Sequence, residues 1–121
     1  MKEKILATVI AVTAVNGFFS TKMFHKYDSM YKDKIRIHKA SEYKFVALSR
    51  NLLKRWGGPF DYGDFILIKD AGHKDGVYQV RDTMNPKWVN VVDILESKGV
   101  EPYKFTNAHI FKLPWVSTEK G

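Results

Sequence analysis

Short continuous runs of apolar residues, separated by polar and glycine-rich stretches, are the clearest pattern in this 121-residue chain. Such runs, bounded by turn residues, are typical of buried β-strands. Five of them follow one another in the second two-thirds of the chain: KFVAL (44–48), FILI (65–68), VYQV (77–80), VNVV (89–92) and HIFKL (109–113). With the candidate strands nearer the N-terminus, they predict a mainly β fold of about six short strands, closed into a small barrel rather than left as an open sheet.

Two short helices are predicted between these strands. Ser49 is expected to cap a helix over residues 50–56, because its hydroxyl can accept a backbone N–H of the first turn. The pair of glycines that follows this segment supplies a left-handed stop. A second helix is predicted over residues 94–98, ending at Gly99.

The apolar pattern leaves two interpretations open for residues 1–20. Their short basic start and apolar stretch have the layout of a secretory signal, but their many β-branched residues are typical of a buried first strand. The stretch is too short and too interrupted by polar residues to predict a membrane span. Export is favoured, which gives the periplasm or cell envelope as the location, with the cytoplasm or a virion as the alternative.

The rest of the chain divides into three predicted segments. Residues 21–42 are polar and basic, and are expected to form a long excursion between strands. Residues 43–116 are expected to form the barrel core. Residues 117–121 are a polar tail.

Composition narrows the chemistry and the partners. The sequence has no cysteine, which excludes disulfides, thiolate nucleophiles and cysteine-based metal sites. Its four histidines show no metal-ligand spacing, so no metal and no cofactor are expected. The net charge of +7 suits an anionic partner such as an anionic envelope glycan or other envelope polymer, lipid headgroups or nucleic acid. The positive charges are dispersed and accompany no nucleic-acid-binding motif, which argues against nucleic acid.

Two aspartates lie at facing ends of predicted strands. Asp82 follows VYQV and Asp93 follows VNVV eleven residues later, so strand pairing would bring their carboxylates to one place. Cleavage of a glycosidic bond needs a carboxylic acid that is still protonated when substrate binds, and a second carboxylate nearby favours that state by like-charge repulsion. The two aspartates are therefore candidate catalytic residues.

Candidate substrate-binding residues surround this pair. Asp64 closes the preceding DYGD turn, and the loop between the two aspartates carries Asn85, Lys87 and Trp88. An amide, a cation and an aromatic ring are a suitable set for holding a sugar. This part of the sequence therefore predicts a carbohydrate site.

Each aspartate also has a purely structural interpretation. Asp93 stands three residues before Glu96, which is the D-x-x-E pattern of a helix capping box. Asp82 and Asp64 can each be turn residues whose side chains bond to nearby backbone. Spacing alone leaves both interpretations open.

Three short segments within residues 43–98 resemble the 3D (Asp-Asp-Asp) domains: YGD ending at Asp64, DTM beginning at Asp82 and VDIL around Asp93. This family is similar to the double-psi β-barrels of murein lytic transglycosylase A, the RlpA-like proteins and the expansins. The resemblance implies a six-stranded double-psi β-barrel. It also implies that Asp93, the later aspartate of the D-x₁₀-D spacing, is a general acid, and that Asp82 supports it.

Two functions follow from these interpretations. The resemblance implies a peptidoglycan-directed protein with lytic transglycosylase-like cleavage, in which Asp93 protonates the glycosidic oxygen. The alternative is a non-catalytic barrel that binds glycan or another protein, as a cell-envelope module or a phage accessory or structural part, because a fold alone does not fix function. A peptidoglycan-directed role is the favoured hypothesis.

Overall fold

The computed structural model describes residues 7–14, 37–97 and 99–114. Within these ranges the chain forms six β-strands, β1 (Ala7–Ala14), β2 (Phe45–Leu48), β3 (Phe65–Lys69), β4 (Gly76–Thr83), β5 (Val91–Ile94) and β6 (Tyr103–Lys112). They close into one barrel in the order β1-β5-β2-β4-β3-β6, which confirms the predicted mainly β, six-stranded barrel. No helix in the described ranges is long and apolar enough to cross a membrane.

The strand pairing is the same in the two halves of the chain. β1 runs parallel to β5 and antiparallel to β6, and β4 makes the equivalent pairs, parallel to β2 and antiparallel to β3. The remaining pairs, β2 with β5 and β3 with β6, are antiparallel. Exchanging β1, β2 and β3 with β4, β5 and β6 therefore leaves every pair and every direction unchanged. The connectivity of the barrel has approximate twofold symmetry.

Alternate strand residues fill the barrel interior. In β3, Ile66 and Ile68 are fully buried, whereas Leu67 between them is only half-buried. In β4, Val80 is buried and Val77 is 42% exposed. A continuous apolar run such as FILI does not reveal which of its alternate residues face the core. Full burial of a side chain of this size contributes about 1.5–3 kcal/mol, so the inward set largely determines the stability of the barrel.

Two strands differ in extent from the predicted runs. β5 begins at Val91, because residues 84–90 belong to the loop after β4. β6 begins at Tyr103, six residues before the predicted run at position 109. Asn107 within β6 has a left-handed backbone, with φ of 60°, and the pairing of β6 with β1 shifts register nearby. This irregularity breaks the alternation of apolar and polar residues from which a long strand is predicted.

The predicted helix over residues 50–56 is instead two single-turn 3-10 helices, Arg50–Leu52 and Lys54–Trp56. Leu53 between them is extended and forms a β-bridge with Phe60. The bridge uses backbone groups that an α-helix would pair with residues four positions away, so a continuous helix cannot form.

A glycine makes this close return of the chain possible. A β-carbon on Gly58 would lie 2.2 Å from the carbonyl carbon of Leu52, a distance that no side chain can adopt. Gly57, immediately before it, has φ of 93° and ends the second 3-10 helix. The prediction of a left-handed stop at the glycine pair is therefore confirmed at Gly57.

The predicted second helix over residues 94–98 is not present in its described part, residues 94–97. Ile94 ends β5, and the Leu95 N–H donates a hydrogen bond to the Phe45 carbonyl at 2.9 Å, which continues the strand pairing. Both apolar residues are buried. Strand pairing thus takes the backbone groups that a helix would have used.

Several predicted segments lie wholly or partly outside the described residues. Most of the basic excursion (21–42) and all of the tail (117–121) are outside them. The described end of the excursion belongs to a 3-10 helix, Ile37–Tyr43. Within residues 1–20, the described part forms β1.

One carboxylate, Glu96, joins three elements at one end of the barrel. It accepts hydrogen bonds from Ser41 Oγ at 2.7 Å and from the Tyr103 hydroxyl of β6. It also pairs with Lys74 Nζ, from the connection between β3 and β4, at 2.7 Å. Burial alone would raise the pKa of Glu96, but the hydrogen bonds from its three partners outweigh burial and lower that pKa.

Replacing Glu96 with glutamine is expected to lower the free energy of unfolding by about 2 kcal/mol at pH 7, because a charged acceptor of several hydrogen bonds is lost. The folded pKa lies below the ordinary value of 4.5. The carboxylate's contribution is therefore fully present above that value and is lost as the pH falls through the lowered folded pKa. Urea unfolding at pH 7 and at about pH 3 should show the difference between wild type and variant shrinking in acid. The control is Glu101→Gln, at an exposed position, which should leave the free energy of unfolding unchanged at both pH values. If Glu96→Gln lowers that free energy equally at both pH values, the carboxylate does not act through its charge.

Candidate functional site

Asp82 and Asp93 lie in one row of strand partners. Ala47 of β2 pairs with Asp82 of β4 on one side and with Asp93 of β5 on the other. Partners on neighbouring strands point to the same face, and neighbouring strands are about 4.8 Å apart, so the Cα atoms of the two aspartates are about 10 Å apart. The row continues to Thr13 of β1, the register partner of Asp93. The structure thus places the two candidate catalytic aspartates on one surface.

This row faces away from the barrel interior. Ala47 stands between Val46 and Leu48, which both belong to the main core. Ala47 itself packs in a separate small apolar cluster, which the loop after β4 completes. Asp93, as the partner of Ala47, shares its outward direction. The aspartates therefore lie on the outer face of the β4-β2-β5 part of the barrel, where Asp93 itself is buried.

A β-bulge gives Asp82 its outward direction. Val80 pairs with Val46 and Asp82 pairs with Ala47, so Arg81 is the extra residue on β4. Successive strand residues alternate between the two faces, so in a regular strand Asp82 would point into the core as Val80 does. Bulges re-aim side chains in this way and are frequent next to active sites. The bulge is the local feature that aligns Asp82 with the rest of the row.

The two carboxylates differ in exposure. Asp93 is 1% exposed, which makes it a rare buried acid. Asp82 is half-buried; its Oδ1 accepts the Thr83 N–H at 2.8 Å, and its Oδ2 is shielded from solvent. Thr83 in turn donates its hydroxyl to the Leu48 carbonyl at 2.8 Å. These bonds fix the orientation of the Asp82 carboxylate where β2 and β4 end.

The structural interpretations of the two aspartates have different outcomes. The capping box of Asp93 and Glu96 is wrong, because Asp93 lies inside β5 and residues 94–97 form no helix. The bond from the Thr83 N–H is the local backbone contact expected of a turn residue, but Asp82 makes it from within β4. Neither aspartate therefore lies in a turn or at a helix terminus.

The loop of residues 84–90 forms a wall beside the row. Trp88 is half-buried and packs against the apolar cluster that contains Ala47, and the Lys87 ammonium lies 5.2 Å from the centre of the Trp88 ring. Asn85 shapes the loop, because its Oδ1 accepts the Lys87 N–H and its carbonyl accepts the Trp88 N–H, each at 3.0 Å. The structure places Trp88 beside the aspartate row, with Lys87 and Asn85 exposed around it.

A buried serine and two asparagines hold the far end of this loop. Ser49 Oγ accepts the Val91 N–H at 3.0 Å and donates to Asn51 Oδ1 at 2.8 Å. Asn51 Nδ2 donates to Asn90 Oδ1 at 2.6 Å, and Asn90 has the left-handed φ of 57° that asparagine tolerates better than most residues. Ser49 therefore ties the end of β2 to the start of β5, and it makes no side-chain bond as a helix cap, contrary to the prediction.

Asp64 acts in its own turn. Its Oδ2 accepts the Asp61 N–H at 2.8 Å and lies 3.3 Å from Lys112 Nζ of β6. Gly63, beside it, has φ of 91°, and its carbonyl accepts a hydrogen bond from Gln79 Nε2 at 3.0 Å. Asp64 is outside the row that Asp82 belongs to, as its interpretation as a turn residue indicated.

Sequence reasoning missed the basic and aromatic residues near Asp82. The pKa of Tyr62 is raised by burial and then by the Asp82 carboxylate, lowered by Arg55 and Arg50, and raised slightly by Asp61, so two acidic and two basic groups act on one hydroxyl. The apolar residues of RNLLKRW have the spacing of an amphipathic helix, and such a helix would place Trp56 on its inward face. The glycine pair after it was the one available sign of a sharp return of the chain. In the structure Trp56 is 40% exposed.

The candidate chemistry is that of paired carboxyl groups with cationic and aromatic neighbours. In residues 7–14, 37–97 and 99–114, no three histidine, aspartate or glutamate side chains group as a metal site requires. No family model, curated protein or solved structure matches the chain. Function is therefore inferred from the geometry of the site.

Proposed function

We propose that this chain is a peptidoglycan-directed barrel protein that cleaves glycan in the manner of a lytic transglycosylase, with Asp93 as the general acid. The observation that carries the proposal is the row in which Asp82 and Asp93 flank Ala47 on one outer face of the barrel. Two carboxyl groups with different environments on one surface are what glycosidic cleavage requires. The cell envelope is the proposed place of action.

The proposed barrel type is double-psi, as in the 3D (Asp-Asp-Asp) domains that the sequence resembles. Support comes from the exchange symmetry of the strand pairing and from the two parallel pairs, β1 with β5 and β2 with β4. In that group a short helix follows the later aspartate, whereas here strand pairing continues beyond Asp93. The resemblance therefore extends to the strands and the acids but not to the helix.

In the proposed reaction, Asp93 donates its proton to the glycosidic oxygen as the bond to the anomeric carbon breaks. Asp93 is 1% exposed, so its carboxyl group is held away from bulk water. Asp82, in its charged form, stabilises the positive charge that develops on the sugar ring. The 6-hydroxyl of the same sugar then attacks the anomeric carbon and passes its proton to Asp93, which leaves a 1,6-anhydro sugar and restores the acid.

The loop after β4 supplies the proposed sugar subsite. Trp88 offers an aromatic face beside the row, and the exposed Lys87 and Asn85 offer a cation and an amide. Asp64 contributes indirectly, because its carboxylate accepts the Asp61 N–H and so fixes the turn that carries Tyr62, whose pKa the Asp82 carboxylate raises. Each residue of the candidate site thus has a distinct role.

The second candidate is a non-catalytic module that binds glycan or another protein in the cell envelope or in a phage particle. The observation that favours it is the 1% exposure of Asp93, because a general acid must touch its substrate. A binding surface needs only the exposed residues around the row. Trp88 and its neighbours would serve both functions.

Incubation of the purified chain with murein sacculi distinguishes the two candidates. The enzyme should release soluble muropeptides with 1,6-anhydro ends, which mass spectrometry identifies. Trp88→Ala should lower both binding and release, while Trp88→Phe, which keeps a flat ring, should retain most of each. Binding without any release, lost in Trp88→Ala, would establish the binding module and exclude the enzyme.

A further inference from the structure

A basic and aromatic cluster lies next to the aspartate row. We call it the arginine–tryptophan patch, and its members are Arg50, Arg55, Trp56 and Tyr62. The guanidinium carbons of Arg50 and Arg55 lie 4.9 and 5.1 Å from the centre of the Trp56 ring. Trp56 and Tyr62 are 40% and 41% exposed. Two cations are therefore held against one exposed aromatic ring.

Both guanidinium groups keep their positive charge available. In the described part of the chain, the three ion pairs involve neither Arg50 nor Arg55. Arg50 Nε donates to the Met84 carbonyl at 3.3 Å, which fixes the group without neutralising it. Stacking on Trp56 orients a guanidinium, and its in-plane N–H donors suit the two oxygens of a carboxylate. The patch is thus prepared for an anion.

The patch is continuous with the aspartate row. Arg50 Nε donates to the carbonyl of Met84, which lies only two residues after Asp82. In agreement with this proximity, the Asp82 carboxylate raises the pKa of the Tyr62 hydroxyl and both arginines lower it. Arg50 also follows directly after the end of β2, the strand that carries Ala47. A ligand bound at the Asp82 end of the row would therefore lie near the patch.

We propose that the arginine–tryptophan patch is an anion subsite that binds a carboxylate carried on the glycan. This inference rests on the proposed function and specifies its substrate class. Murein carries carboxylates on the lactyl-peptide substituents of alternate sugars, whereas chitin, a β-1,4-linked glycan of N-acetylglucosamine, carries none. A neutral glycan offers the two guanidinium groups no charged acceptor, so the patch selects the substituted polymer.

Co-sedimentation with murein sacculi and with chitin tests the subsite. The test variant is R50Q/R55Q, and the control is K44Q/K69Q, which removes the same charge at the opposite end of the barrel, before β2 and at the end of β3. We expect R50Q/R55Q to bind murein about tenfold to a hundredfold more weakly. We expect K44Q/K69Q to bind murein within about twofold of the wild-type affinity. We expect wild type to bind chitin no more tightly than R50Q/R55Q binds murein. Thermal unfolding checks that each variant is folded. If R50Q/R55Q is unfolded, the single variant R55Q, at an exposed position, replaces it in the binding test.

The outcomes separate this inference from the function on which it rests. Equal murein binding by wild type and R50Q/R55Q overturns the subsite and leaves the proposed function standing. Loss of wild-type binding after hydrofluoric acid has stripped phosphodiester-linked polymers from the sacculi assigns the anion to phosphate and overturns the carboxylate. Failure of wild type to bind or cleave murein at all overturns the proposed function, and the subsite with it.

Discussion

Replacing Asp93 with asparagine is expected to lower murein cleavage by about 10²–10⁴-fold, the usual contribution of a general acid. Asparagine has the size and shape of aspartate but cannot donate a proton to a leaving oxygen. The free energy of unfolding should change by about 1 kcal/mol or less, because the substitution is isosteric and leaves no cavity. Rates of release of anhydro-muropeptides, together with urea unfolding of the same preparations, measure both quantities.

Two neighbouring acids provide the controls for this variant. Asp82→Asn should also lower cleavage, because Asp82 faces the same surface from the other side of Ala47. Asp64→Asn should leave the cleavage rate largely unchanged and lower the free energy of unfolding, since the Asp64 carboxylate accepts a hydrogen bond within its turn and pairs with Lys112. If Asp93→Asn destabilises the protein while cleavage persists at the wild-type rate, Asp93 is a structural residue and the proposed mechanism is wrong.

Replacing Phe60 with alanine is expected to lower the free energy of unfolding by about 3–5 kcal/mol. Phe60 is 0% exposed and lies in the main core. Its N–H donates to the Leu52 carbonyl at 2.9 Å, and its carbonyl accepts the Lys54 N–H at 2.6 Å. The side chain therefore anchors the whole segment between β2 and β3 to the barrel, and truncation leaves a cavity that this hydrogen-bonded segment cannot easily fill.

A matched substitution lies two residues away in the same segment. Tyr62→Ala removes an aromatic side chain of similar size, but Tyr62 is 41% exposed, so the loss should be about 1 kcal/mol or less. Chemical unfolding of both variants with a common m-value gives the comparison. Similar losses in the two variants would show that Phe60 is not the anchor.

The strands were predictable because short apolar runs have a strong local signal. FILI became β3 within one residue of its predicted bounds, and VYQV lies within the longer β4. The conformation after Ser49 was not predictable from the sequence. A β-bridge between Leu53 and Phe60 replaces the local hydrogen bonds of the expected helix with a contact seven residues away. Such a contact depends on Gly58, whose role as a point of close approach cannot be distinguished in sequence from that of a helix stop.

The candidate site was predictable only in part. The alignment of Asp82 with Asp93 was expected from spacing, but the means of achieving it, an extra residue at Arg81, leaves no mark in the apolar pattern. The patch around Trp56 was missed for a related reason. In the sequence, Trp56 has the spacing of an inward-facing helix residue. It is exposed in the structure because the chain forms short 3-10 helices and then folds back at Gly57.

The position of β1 in the barrel has a consequence for how the protein is made. Both neighbours of β1 are strands from the far end of the sequence: Thr13 pairs with Asp93, and Ala14 pairs with Tyr103. While the ribosome synthesises the intervening residues, β1 emerges with neither of these neighbours available. Its N–H and C=O groups can then bind only water, a chaperone or another nascent chain. Barrel closure must wait until β5 and β6 have emerged, so β1 cannot pair as it is made, and the closing step joins strands that are far apart in sequence.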